Sequence, residues 1–208
     1  MTGRRTRLAV LASGAGSNLQ ALLDACALPG FPAQVVLVVS DVPTARALER
    51  ARAAGISAEV LEPRGFPERA AYDAALAALL QVRGVEAVCL AGFMRLLGPR
   101  FLAAFPQRVL NVHPALLPAF PGLHAARQAL AAGVKLAGCT VHFVDEGVDT
   151  GPIAAQAAVP VLDGDDEAAL QARIQAEEHR LYPEVVRALC EGRLRVEGRR
   201  VAVAPPAG

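Results

Sequence analysis

Lysine, ordinarily among the commonest residues, occurs once in this chain, at Lys135, and asparagine only twice, at Asn18 and Asn111. Arginine therefore carries almost all the positive charge. With the high alanine and proline content this matches a GC-rich genome or a thermophile, two sources that composition does not separate. The four cysteines, Cys26, Cys89, Cys139 and Cys190, include no CxxC pair and all lie in apolar contexts. They are expected as buried small hydrophobes, not as a zinc site or a disulfide framework. Neither sign of charge is in excess, with 21 basic against 20 acidic residues. That removes the basic face a nucleic-acid or anionic-membrane partner would require. No apolar run approaches the ~18 residues of a membrane helix. Gly3-Arg4-Arg5 ahead of residues 8–12 mimics a twin-arginine signal, but the apolar run is too short and leads straight into Gly14-Ala15-Gly16 and a helical pattern. A first strand and a cytoplasmic location are expected. Repeats, low-complexity linkers and domain boundaries are also missing. What remains, 208 residues at 53% hydrophobic and 20% charged, suits one α/β domain with a real core.

Hydrophobic periodicity alternates strand and helix at a regular pace. Short apolar runs at 8–12, 35–40, 58–61 and 87–91 predict buried strands, and 19–26, 44–54 and 68–80 predict the helices between them. Such alternation implies right-handed βαβ units around a parallel sheet. A fifth strand is predicted at 108–112. Runs at 138–144 and 153–161, separated only by a loop, suit an antiparallel pair. A long helix follows over 166–189, its charged face including Glu177, Glu178, Arg180 and Arg187. Residues 193–203 suit a hairpin, and 205–208 should fray. In open α/β sheets ligands bind beyond the carboxyl ends of the strands. Three unusual segments, 13–18, 92–97 and 111–118, each follow a predicted strand and should meet in one cleft.

Each segment carries its own chemistry. In Ser13-Gly14-Ala15-Gly16-Ser17-Asn18 the glycines allow a tight turn, and the next helix aims its free N–H groups at the loop, a phosphate cradle. A plain turn with Ser17 as N-cap is the bland alternative. A dinucleotide site would want a third glycine where Leu19 stands, although Asp41 is suitably placed for a ribose. Ala91-Gly92-Phe93-Met94-Arg95-Leu96-Leu97 is apolar for a loop. It reads as core packing or, in a cleft, as a wall for a flat heterocycle. Asn111 and His113, two apart at a strand end, share a face; one offers an amide donor and the other a titratable base. Asp149, in Asp149-Thr150-Gly151-Pro152, could orient and charge that His. His124, His142 and His179 are expected as structural side chains, His142 half-buried. An amide, an imidazole and a carboxylate make an acyl-transfer site.

Taken together, Ser-Gly-x-Gly-Ser-Asn at 13–18, Ala-Gly-Phe-Met-Arg at 91–95, Asn-x-His-Pro-x-Leu-Leu-Pro at 111–118 and Asp-x-Gly-Pro at 149–152 resemble the phosphoribosylglycinamide formyltransferase family. The likeness runs on to residues 175–183. The resemblance implies a Rossmann-like α/β formyltransferase fold, a mostly parallel sheet flanked by helices with antiparallel additions in the C-terminal part. It implies one domain over 1–208: a phosphate half to about 105, a catalytic and folate-loop half over 106–192, and a tail. It implies formyl transfer from 10-formyltetrahydrofolate to the amine of glycinamide ribonucleotide in purine synthesis, without a metal, by a monomer or homodimer. Gly16, Ser17 and Asn18 would hold the phosphate and Glu178 the ribose. Met94, Arg95, Leu96 and Leu97, with Asn111, would line the folate pocket, and Arg69 would meet the folate glutamate. Asn111 and His113 would stabilise the oxyanion, and Asp149 would keep His113 protonated and help shuttle protons.

Ala115 and Ala119 depart from the family pattern, standing where Ser and a basic residue are frequent. Among relatives, methionyl-tRNA formyltransferase carries a further C-terminal domain and formyltetrahydrofolate deformylase a further N-terminal one, so the compact transferase is expected. A nicotinamide oxidoreductase or a non-catalytic nucleotide-binding module are the readings outside the superfamily.

Overall fold

The computed structural model describes residues 4–206; Gly3 of the signal-like segment and the end of the tail expected to fray lie outside them. Seven strands form one sheet in the order β3-β2-β1-β4-β5-β6-β7. They are β1 (Thr6–Leu11), β2 (Ala33–Ser40), β3 (Ser57–Val60), β4 (Ala87–Leu90), β5 (Val109–His113), β6 (Leu136–Phe143) and β7 (Ile153–Pro160). The first five are parallel, and β6 and β7 are added antiparallel. Every expected strand is present with ends shifted by a residue or two. β8 (Leu194–Glu197) and β9 (Arg200–Val203) form the expected hairpin as a separate two-stranded sheet.

The apolar runs are continuous because the strands are covered on both faces. Alternation along β1 shows it: Leu8 and Val10 join one core and Ala9 and Leu11 the other, all fully buried. Helices α1 (Ser17–Ala27) and α6 (Glu167–Cys190) cover the first face, and α3 (Arg69–Val82) and α4 (Pro99–Ala104) the second; α2 (Arg46–Ala53) and α5 (Ala125–Ala131) complete the set. The short α4 and α5 escaped the periodicity reading, since six or seven residues span too few turns to show a pattern. Asp166 caps α6, its carboxylate accepting the Ala169 N–H at 2.7 Å. Further along α6, the buried Tyr182 hydroxyl reaches the Leu90 and Leu110 carbonyls, each at 3.0 Å, and so ties the helix to β4 and β5.

No helix among the described residues is long and apolar enough to cross a membrane. Cys26, Cys89 and Cys139 are buried and all four cysteines are free. Burial pushes the Cys26 and Cys190 thiols up to about 11 and Cys139 to about 12. Chain direction across the sheet reverses at β1, which is flanked by β2 and β4, so the loops leaving β1 and β4 open a crevice between them.

Candidate active site

Gly16 ends the loop after β1 in the left-handed region, φ 71°, and a Cβ there would lie 2.8 Å from the Ala47 backbone. Only glycine suits both conditions. Helix α1 starts at Ser17 with no side-chain cap, so its first-turn N–H groups stay open to an anion. Ser17 is therefore not the N-cap; its hydroxyl accepts from Gln175 Nε2 at 2.8 Å. Asn18 Nδ2 donates to Glu178 Oε2 at 2.8 Å, and Asn18 Oδ1 is buried without a partner. Glu178, read from sequence as part of a charged face, points inward and is 3% exposed. Burial raises its carboxyl above the ordinary value, and the Asn18 bond offsets this only in part. Two acceptors thus sit beside the glycine loop, as a vicinal diol would require.

On β5, Asn111 and His113 share one face, and Asp149 meets them from the loop between β6 and β7. His113 Nδ1 lies 3.3 Å from Asp149 Oδ2, and His113 Nε2 donates to the Phe120 carbonyl at 2.9 Å. Both ring nitrogens face acceptors, a setting that the doubly protonated ring satisfies. Asn111 Nδ2 lies 3.4 Å from Asp149 Oδ1 and 3.1 Å from His142 Nε2. His142 Nδ1 donates to the Phe143 carbonyl at 2.8 Å, and its Nε2 faces both the Asn111 amide and, at 3.6 Å, Asp149 Oδ1. Asp149 Oδ2 also accepts the Gly122 N–H at 2.8 Å. Burial pushes the Asp149 carboxyl up, but the His142 contact, the Gly122 N–H and the nearby His113 outweigh it and hold the carboxyl below its ordinary value. Gly151 is required where it stands, since a Cβ would collide with the Phe143 carbonyl.

His142 is thus no ordinary half-buried side chain. It is 2% exposed and sits directly across from Asn111 in the β5–β6 register. Sequence spacing does not mark it, because the residue that faces Asn111 is set by the register of β6 on β5. Gln175, Gly122 and Phe120 carried no signal either, because their contacts join segments far apart or use only the main chain. His124, expected as structural, is exposed at the cleft edge as the residue before α5. Ala115 is buried, with its carbonyl taking the Thr140 hydroxyl.

One cleft of about 550 Å³ joins these groups. Gly16, Ser17, Asn18 and Glu178 line it together with a largely apolar wall of Met94, Arg95, Leu96 and Leu97 and the polar cluster of Asn111, His113 and Asp149. Arg95 lies over the Tyr72 ring, 5.2 Å from its centre. Arg69 is elsewhere: it pairs with Asp73 at 3.6 Å and lines a separate depression with Gly98 and Arg100.

The formyl transferase family model matches residues 6–186. A phosphoribosylglycinamide formyltransferase of Mycobacterium tuberculosis is 50% identical, the match covering 95% of this chain and 94% of that one. A trifunctional purine biosynthetic protein adenosine-3 of Drosophila pseudoobscura pseudoobscura is 51% identical over 92% of this chain, which spans only 14% of that protein. Among solved structures, glycinamide ribonucleotide transformylase 1 of Symbiobacterium toebii is 58% identical, with a TM-score of 0.96 over 98% of this chain and 96% of that one. With near-full-length identity of this order and the same fold, the chain belongs to the phosphoribosylglycinamide formyltransferase family.

Proposed function

We propose that the chain transfers the formyl group of 10-formyltetrahydrofolate to the amine of 5'-phosphoribosylglycinamide, with Asn111, His113 and Asp149 at the reacting centre. The observation that carries this reading is a single cleft lined by a phosphate cradle, an apolar wall and a polar cluster. A ribose phosphate at Gly16–Asn18, its diol at Glu178 and Asn18, and a flat ring against 94–97 bring amine and formyl carbon together at the cluster.

The amine nitrogen attacks the formyl carbon, a C–N bond forms, and the formyl oxygen takes up negative charge. Asn111 Nδ2 and His113 Nε2 are the donors for that oxyanion. The Nε2–H now spent on the Phe120 carbonyl exchanges to the oxygen. His142 Nε2 and Asp149 Oδ1 flank the Asn111 amide and fix its plane, and the N–H held at 3.4 Å from Asp149 turns to the oxygen. Collapse breaks the bond to the folate nitrogen, which gains a proton as the attacking amine loses one. Asp149, ionised and half-buried against His113, balances the imidazolium charge through both steps. Arg69 fits less directly, since it faces the neighbouring depression; reaching a folate carboxylate requires its side chain to leave Asp73.

The test is a spectrophotometric assay of purified protein with a 10-formylfolate donor, with and without the ribonucleotide. Turnover that requires the ribonucleotide is expected. Donor loss without acceptor dependence would make the protein a hydrolase and overturn the reading.

A further inference from the structure

Ser13 belongs by sequence to the glycine loop, yet its hydroxyl points across the strand ends instead of into the cleft. β1 is flanked by β2 and β4, and Ser13, just past β1, bonds to the exits of both. Its hydroxyl donates to Asp41 Oδ1 at 2.6 Å, just past β2. The same oxygen accepts the Met94 N–H at 2.9 Å, just past β4, while the Ser13 N–H donates to the Gly92 carbonyl at 3.0 Å. A hydroxyl has one proton. Asp41 takes it, so the oxygen is left to receive Met94.

That bond matters because burial does not hold this stretch. Met94 and Leu96 are 64% and 45% exposed, whereas Phe93 and Leu97 are buried on either side. Among the described residues, side chains bond the main chain of 92–98 at two points, Ser13 at Met94 and Asp73 at Gly98, the latter at 2.8 Å. We infer that Ser13, oriented by Asp41, is a positioning residue for the formyl donor: it fixes the wall at 94–97 from the neighbouring strand, although it lies within the phosphate-loop motif. The inference rests on the assignment of that wall to the folate made above.

Steady-state kinetics of Ser13→Ala, Asp41→Ala, the double variant and Ser13→Thr test it, with thermal melting to show that each folds. Loss of one partly exposed hydrogen bond predicts a roughly 3–10-fold rise in the donor KM for Ser13→Ala. The ribonucleotide KM and kcat should stay within about twofold of wild type. Asp41→Ala should raise the donor KM less. The double variant should be no worse than Ser13→Ala, because both changes act on one bond, and Ser13→Thr, which keeps the hydroxyl, should restore the donor KM. A folded Ser13→Ala with unchanged donor KM, or with only the ribonucleotide KM raised, overturns the inference. Should Ser13→Ala not fold, Asp41→Ala is held to the same criterion. Wild-type protein that turns over neither substrate would overturn the functional reading itself, and that is known before any variant is compared.

Discussion

Asp149 sits at φ 53°, a left-handed conformation that Asp and Asn adopt far more readily than other side-chain-bearing residues. Asp149→Asn should keep the backbone and the bond from Gly122 while removing the charge opposite His113. We expect kcat to fall by ~10²–10³ with both KM values little changed, as single-turnover and steady-state rates would show; unchanged turnover would remove Asp149 from the reaction. The folded carboxyl lies below its ordinary value of 3.8. Its contribution to stability is thus fully present above about pH 4 and lost as pH falls through the lower folded value. Glu178 has the opposite sign. Its carboxyl lies above 4.5, so the fold loses stability as pH rises through the folded value. Glu178→Gln should remove that loss and give Asn18 Oδ1 the donor it lacks. A gain on the order of 1 kcal/mol would raise Tm at pH 7 by ~2–4 °C, while the ribonucleotide KM rises. An unchanged or lower Tm in a calorimeter at neutral pH would contradict the burial argument.

At the scale of elements, the active loops are held by contacts that leave no space. A Cβ on Gly98 would lie 2.6 Å from Asp73 Oδ2, the oxygen that accepts the Gly98 N–H. Asp73→Ala leaves that buried N–H unpaired and should destabilise the protein by ~1–3 kcal/mol, measurable by urea unfolding. Gly151→Ala acts on the opposite loop. The collision with the Phe143 carbonyl must push the segment carrying Asp149 off β6, so a large loss of kcat should accompany any fall in Tm. An active, unshifted Gly151→Ala would show that the loop tolerates displacement. Element boundaries were legible where a pattern had room to repeat: β1 to β7 and the four longer helices follow from alternating or continuous apolar runs. α4 and α5 were not, because seven residues or fewer cannot display a helical period.

Across the whole molecule, the hairpin β8–β9 stands apart from the seven-stranded sheet, with Leu194, Val196 and Val201 packed half-buried against the core. Removing residues 193–208 should expose that apolar surface and lower stability by about 2–4 kcal/mol. The cleft has no lining residue from the hairpin, so kcat should hold below the new Tm. Loss of turnover in the folded, shortened chain would place the hairpin in the active site. The sheet order also explains why the motifs converge. Loops that leave neighbouring parallel strands at the same edge meet, however far apart they lie in the chain. The sequence by itself therefore determined the strand–helix alternation, the edge on which the site forms, and the pairing of Asn111 with His113, since each depends on local periodicity and on which face a side chain takes. Only the tertiary structure decided that His142 stands against Asn111, that Glu178 turns inward to Asn18, that Arg69 faces a neighbouring depression, and that Ser13 serves the far loop. Those outcomes depend on strand register, on helix rotation and on which acceptor a single hydroxyl proton finds, and chain spacing specifies none of the three.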